Sequence, residues 1–332
     1  MRKKGEKQGA KLFLTGESVI FVGNFFIHLT RASMAFTTLG IDSNFLGIGK
    51  EFSSFDRSRI VILPVPYEHT VSYGGGTQHG PEAILDASHY VEFYDEETGR
   101  EVHRELGIAT LKPLNVSKKK DEAALKLIRD ATKSLLDEKK FVITLGGEHT
   151  IAQATLAAFV QKYTNVSVVQ IDAHSDLRME YLGNKYSHAS VMARVCEFLD
   201  PRRLVQIGIR AQCIEEAAFI KAKGISTLYA HEIRGGKFAR KSWDDFAIEN
   251  LTDDVYVTFD VDGLDPSIMP STGTPEPNGL FWAETMQFLR KLGKRKNVVG
   301  CDIVELAPMR DLHHPNLTAA KLASKMINYF VR

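Results

Sequence analysis

Cysteine, net charge and long apolar runs are all scarce in this chain, and each scarcity removes a class of protein. The 332 residues include only three cysteines, Cys196, Cys213 and Cys301, far apart and with no Cys-x-x-Cys pair. Neither a disulfide framework nor a cysteine-built zinc site follows from them, and a reducing cytoplasm is the expected compartment. Lysine and arginine number 42 against 41 aspartate and glutamate, a formal charge of +1. No global field exists to gather nucleic acid or an anionic membrane, so neither is an expected partner. The apolar stretch Ser18 to Leu29 follows Arg2, Lys3, Lys4, Lys7 and Lys11 but is interrupted by Asn24 and His28. It is well short of the roughly 20 residues of a spanning helix, and Glu6 and Glu17 dilute the basic region that a signal peptide requires. Residues 1–33 are therefore expected to form a poorly structured N-terminal extension, and residues 34–332 a single domain.

What the chain does have is an ordinary globular composition, 44% hydrophobic and 25% charged, which excludes collagen, coiled coil and wholesale disorder. From Arg59 onward, short β-branched apolar runs alternate with stretches of helical period, the mark of an α/β fold with a largely parallel sheet. The runs predict strands at Ile60–Pro64, Phe141–Leu145, Val166–Ile171, Leu204–Ile209, Val255–Phe259 and Val298–Val304. Ser167 and Gln170 interrupt the third, and Gln206 the fourth, in a pattern otherwise apolar on both faces. The intervening stretches predict helices at Pro81–Ser88, Asp121–Glu138, Thr150–Tyr163, Ser190–Leu199, Ile214–Lys223, Trp282–Leu292 and Leu317–Phe330.

In open α/β sheets a ligand sits beyond the carboxyl ends of the strands, so polar residues there are read first. After Val166–Ile171 come Asp172, His174 and Asp176 at alternate positions, which an extended backbone turns to one side. After Val255–Phe259 come Asp260 and Asp262 in the same phase. Any one Asp after a strand is explained as a helix cap, but two clusters supply more acceptors than capping uses. Crowded carboxylates repel one another unless a cation neutralises them, and a divalent metal is the natural resolution. Phe141–Leu145 leads into Gly146, Gly147, Glu148 and His149, where paired glycines permit a tight turn. Alone, His149 would read as an ordinary polar residue; beside the Asp clusters it reads as a ligand. Glu305, which ends Val298–Val304, fits either a functional carboxylate or a surface one. Two imidazoles and four carboxylates without thiolate form a hard set, suited to manganese or magnesium rather than zinc or copper. Six ligands exceed what one open metal needs. Two metals about 3.5–4 Å apart can hold a hydroxide at neutral pH and polarise the group it attacks, so the residues read as a dinuclear hydrolase.

From about Ile60 onward the chain resembles the ureohydrolase family of arginases, agmatinases, guanidinobutyrases and formimidoylglutamases. The likeness rests on Gly-Gly-Glu-His at 146–149, Asp-Ala-His-Ser-Asp at 172–176, Phe-Asp-Val-Asp-Gly-Leu-Asp-Pro at 259–266 and Asp-Ile-Val-Glu at 302–305, in family order. It implies a three-layer α/β/α sandwich around a mainly parallel sheet, and two Mn2+ per subunit. One would be held by His149, Asp172, Asp176 and Asp260, the other by Asp172, His174, Asp260 and Asp262, with Asp172 and Asp260 bridging. It further implies that Glu305 pairs with a guanidinium, that Asp176 carries a proton to the departing amine, and that His188 shuttles protons or binds substrate. The alternative for His188 is a helix-start residue with no role. Family members are commonly trimers or hexamers, an implication that a stable monomer in sedimentation would refute.

Within the family, the segment 183–190 does not resemble the loop with which arginases hold an amino acid, whereas Gly273–Pro277 and Val304–Pro308 look like agmatinases. Agmatine is the first expected substrate, followed by its aminopropylated form and guanidinobutyrate. A one-metal deacetylase of related fold would lack the second Asp cluster, and a metal-binding regulator would not release urea. The glycines of the loop Tyr73–Thr77 read as turn formers.

Residues 1–33 contain none of the motifs that carry this chemistry, and a domain opening, Thr37–Asp42, follows Met34. Terminal segments with few packing partners tolerate removal. A chain starting at Met34 is expected to fold, bind manganese and hydrolyse agmatine as the full chain does. Insoluble or inactive truncated protein would instead place Val19 to Leu29 against the domain or a membrane surface.

Overall fold

The computed structural model describes residues 19–22, 25–28, 36–238 and 241–332. Strands β1 (Val19–Val22) and β2 (Phe25–His28) pair antiparallel in a unit that ends at Ala35. The expectation of a poorly structured extension over 1–33 otherwise falls outside the described residues.

The second unit, Phe36–Arg332, is built on β3 (Ile60–Val65), β4 (Ile108–Thr110), β5 (Phe141–Gly146), β6 (Val166–Ile171), β7 (Leu204–Ile209), β8 (Ser226–Tyr229), β9 (Asp254–Asp260) and β10 (Asn297–Val304). They form an eight-stranded sheet in the order β4-β3-β5-β10-β9-β6-β7-β8, with every pairing parallel. Side chains alternate between the two faces. Ile60 and Ile62 of β3 join one core, with helices Gly80–Ser88, Trp282–Arg295 and His314–Phe330 packed over it. Val61, Leu63 and Val65 join the other, under helices Asp121–Asp137, Ile151–Lys162 and Ile214–Lys223. The result is the expected three-layer α/β/α sandwich. No helix among the described residues is long and apolar enough to cross a membrane.

All six expected strands form, and the two that the pattern does not reveal are the sheet's edges. β4 is only three residues long, and β8 opens with half-buried Ser226 and Thr227. Though buried throughout, β4 is too short to set up a pattern, and the half-buried start of β8 carries a weaker apolar signal. The helix expected over Ser190–Leu199 is shorter, Val191–Val195. It stops at the turn that begins with Cys196, and the amides of its first turn, Met192 and Ala193, both donate to the Asp176 carbonyl.

The chain lays down β3, β4 and β5 on one side, crosses to β6, β7 and β8, and returns with β9 and β10 to fill the centre. The carboxyl ends of β5, β10, β9 and β6 are thereby neighbours at the place where the winding reverses, where open α/β sheets form their sites. Close packing there leaves no room at Gly147, where an added Cβ would lie 2.1 Å from the Tyr67 carbonyl oxygen. Overpacking of this kind costs roughly 1–3 kcal/mol or more. Gly147→Ala is therefore expected to lower the thermal midpoint by several degrees; an unchanged midpoint would show that the Tyr67 loop yields freely.

Candidate metal centre

The ends of β5, β6 and β9 bring the expected ligands together. His149 Nδ1 lies 3.1 Å from Asp172 Oδ2, 3.0 Å from Asp176 Oδ2 and 3.4 Å from Asp260 Oδ2. On the other side, His174 Nδ1 lies 3.0 Å from Asp262 Oδ2 and 3.7 Å from Asp172 Oδ1. Two groups with the spacing of metal ligands result, His149/Asp172/Asp176 and Asp172/His174/Asp262, and Asp172 belongs to both. Asp260 stands beside the first group, its Oδ1 accepting the Asp262 N–H at 2.8 Å. Strand alternation alone does not place Asp176. Its backbone turns into the left-handed region, φ 53°, a strained conformation for a non-glycine residue that the two amide bonds to its carbonyl hold in place.

The donor set fits a cation. Thr258 Oγ1 donates its one hydrogen to Asp302 Oδ1 at 2.6 Å, so at 2.9 Å it accepts from His149 Nε2–H. The lone pair of His149 is then on Nδ1, which is fully buried and has no hydrogen-bond partner although three carboxylates surround it. Nitrogen and oxygen lone pairs face one another across the gap. Adjacent ligands of one ion at about 2.1 Å stand about 3 Å apart, close to the separations here.

Without a bound cation the cluster would hold protons instead. Burial pushes the Asp176 carboxyl up, and the charge of Asp172 adds to it, to about 7. Burial likewise raises Asp260 and Glu305. For His174 burial alone would lower the pKa, but Asp262 and Asp172 outweigh it and push it up to about 12. His188 is pushed down to about 4, by burial first and then by His174 and His149.

Several supporting residues were invisible as a site in sequence. Gln170, which breaks the apolar run of β6, donates to Asp172 Oδ2 at 2.8 Å; Gln206, which breaks β7, donates to Gln170 Oε1 at 2.7 Å. The polar interruptions of two buried strands were the available signal. Asp302 accepts from Thr258 and, at 2.8 Å, from Tyr256. Arg210 follows β7 and donates to the carbonyls of Asp262 (2.6 Å), Leu264 (3.2 Å) and Glu276 (2.9 Å), tying the second Asp cluster to the segment Gly273–Pro277.

The remaining expected residues lie around the cluster. Glu305 is also left-handed, φ 65°, and its Oε1 accepts the His149 N–H at 2.6 Å. His188 lines a cavity of about 420 Å3 together with Ser72, His174, Asp176, Tyr181 and Thr274. At its rim the two glycine-bearing loops meet, Gly74 N–H donating to Gly273 O at 3.1 Å. A Cβ on Gly74 would lie 2.9 Å from that oxygen, so a close approach, beyond turn formation, demands this glycine.

A metal-ligand cluster at the carboxyl edge of a parallel sheet, opening to a cavity, defines a class that comparison with known proteins makes specific. The profile of the arginase family matches residues 58–329. The N(1)-aminopropylagmatine ureohydrolase of a Synechocystis species is 41% identical over 285 residues, 84% of this chain and 91% of that one. The agmatinase of Bacillus cereus is 31% identical over 85% of this chain and 96% of its own. Among solved structures, the agmatine ureohydrolase of Thermoplasma volcanium matches with a TM-score of 0.76 at 27% identity, over 89% of this chain and 94% of that one. The chain belongs to the arginase family. Within it, the chain is an agmatinase-like ureohydrolase.

Removing the acceptor that orients His149 tests the fit to a metal. Thr258→Val is expected to weaken manganese binding about 10- to 100-fold, as loss of such supporting partners does. Since Asp176 and His174 must both give up protons to serve a cation, affinity is expected to rise with pH through neutrality and on into the alkaline range. Calorimetry in buffers of different ionisation enthalpy reads both; pH-independent binding without proton release would contradict the role of Asp176.

Proposed function

We propose that the chain is a dinuclear manganese hydrolase that cleaves a linear guanidino compound with a cationic tail to urea and an amine, N1-aminopropylagmatine to urea and spermidine in the first place. The observation that carries the chemistry is Asp172, shared by two ligand groups on opposite sides of its carboxylate. His149, Asp172, Asp176 and Asp260 would hold one cation, and Asp172, His174, Asp260 and Asp262 the other. An oxygen-rich set without thiolate favours manganese. Two such cations would neutralise the carboxylates and supply a nucleophile from water at neutral pH.

The chain's own residues supply the rest. A guanidinium is permanently cationic and resonance-stabilised, so its carbon resists weak nucleophiles and has to be held in line. Glu305 would pair with it through the carboxylate oxygen that does not accept the His149 N–H. Asp176 would take the proton that the attacking water gives up and pass it to the departing amine. His188, on the cavity wall, would take or deliver a proton at its ring.

The order of substrates is supported by kinship. The Synechocystis relative and one from Thermus thermophilus, 36% identical, both carry the name N(1)-aminopropylagmatine ureohydrolase. This moves the aminopropylated compound ahead of agmatine, which the sequence alone ranks first and which the 31% identical agmatinase keeps as the second reading. Three free cysteines fit a cytoplasmic enzyme.

Urea release across N1-aminopropylagmatine, agmatine, guanidinobutyrate and arginine should give the highest kcat/KM for the first; a higher value for agmatine would reverse the order, and no urea from any would refute the reaction class. Glu305→Gln is expected to bind two equivalents of manganese with kcat lowered at least about 100-fold, the scale of a misplaced reacting group. Loss of metal in that variant would make Glu305 a ligand or a ligand's support.

A further inference from the structure

We propose that Glu148 and Thr70 are positioning residues that set the tautomer of His188, so that Nδ1 carries the hydrogen and Nε2 presents its lone pair to the cavity. The inference rests on the proposed function, in which His188 takes part in the reaction.

Glu148 sits between Gly147 and His149 in the motif that supplies a ligand, yet its carboxylate turns away from both ligand groups. It is completely buried, 0% exposed, and neutral donors meet it. Oε2 accepts the N–H groups of His69 and Thr70, both at 2.6 Å, and Oε1 accepts the Thr70 hydroxyl at 2.9 Å. Burying a carboxylate costs several kcal/mol unless its bonds are well made, and a neutral residue could hold the same loop. The arrangement of hydrogens shows what an acid does there that a neutral residue would not.

Backbone N–H groups can only donate, so both hydrogens at Oε2 are fixed. Burial pushes the Glu148 carboxyl up, while the N–H groups of Thr70 and His69 and the hydroxyls of Thr150 and Thr70 favour its charged form; the Thr70 hydroxyl has one hydrogen, and a charged carboxylate accepts without donating. That hydrogen is therefore committed to Oε1. Thr70 Oγ1 has only lone pairs left for its other neighbours, the His188 backbone N–H at 3.0 Å and the His188 ring Nδ1 at 3.2 Å. A ring nitrogen facing it has to bring the hydrogen itself, and the other neighbour of Nδ1, the Ser187 hydroxyl at a long 3.5 Å, can accept as well as donate. Nδ1–H is thus selected, and Nε2 is the nitrogen left to act on the cavity, where His188 stands with Asp176 and His174. Setting a histidine tautomer through the group that its other nitrogen contacts is a general way of assigning acid and base roles.

Glu148→Gln separates this role from simple support of the loop. The amide oxygen can still accept from His69 and Thr70. Its NH2 then faces Thr70 Oγ1 and donates, the hydroxyl hydrogen swings to His188 Nδ1, and the ring hydrogen moves to Nε2. The variant is expected to keep its fold and two equivalents of metal, to lose kcat by about 100-fold or more as a misassigned histidine does, and to change KM little. In 15N-histidine-labelled protein loaded with diamagnetic magnesium, with the His188 signal assigned by its loss in His188→Asn, the two-bond 1H–15N pattern should switch from Nδ1–H to Nε2–H.

Thr70→Ser should retain both activity and tautomer, and Thr70→Val should lose both, so this pair decides the matter if Glu148→Gln does not fold. Wild-type kcat with an unchanged His188 pattern in Glu148→Gln, or equal behaviour of Thr70→Ser and Thr70→Val, would overturn the proposal. Full urea release by His188→Asn would refute the part assigned to His188 in the proposed function, while the tautomer pattern would still report on Glu148 and Thr70 directly.

Discussion

Four buried aspartates that converge on two imidazoles form an arrangement that electrostatics forbids unless positive charge lies among them. Asp172, Asp176, Asp260 and Asp262 are all at most 6% exposed, and the free nitrogen of His149 points into the same space. Much of the surrounding structure holds these groups in place against their mutual repulsion. Backbone N–H groups of Ala173, His174 and Asp262 each engage one carboxylate oxygen of Asp262, Asp172 and Asp260. Gln170 takes up the second oxygen of Asp172. Every such bond decides which oxygen is engaged and which way it faces, and in that sense the hydrogen bonds specify the site as much as the ligands do.

The fold meets this constraint by dividing labour between rigid and adaptable parts. Ligands ride on the ends of β5, β6 and β9, whose strands are buried on both faces between two apolar cores. Loops form the cavity wall and rim, through Ser72, Tyr181, His188 and Thr274. Arg210 and the Gly74–Gly273 contact join the two tiers. The relatives that match the chain along most of its length are named for different substrates.

Much of this was legible before any coordinates. The six central strands, the parallel α/β class and the gathering of His149, Asp172, His174, Asp260 and Asp262 follow from local patterns, because apolar runs mark buried strands and polar residues just past them mark the functional edge; Asp176 joins them only through its left-handed turn. Edge strands β4 and β8 were missed because the first is only three residues long and the second is half-buried and opens on two polar residues.

What the sequence determined by itself was the chemical inventory and its order along the chain: hard ligands, no thiolates, no charge imbalance, and strands enough to bury one sheet. Tertiary structure decided the pairings. That Thr258 turns His149 Nδ1 toward the carboxylates, that Gln206 supports Gln170, and that Glu148 reaches His188 through Thr70 depend on residues 109, 36 and up to 118 positions apart. Hydrogen-bond partners of that kind are chosen by register across a sheet and by loop packing, and no local period in a sequence records them.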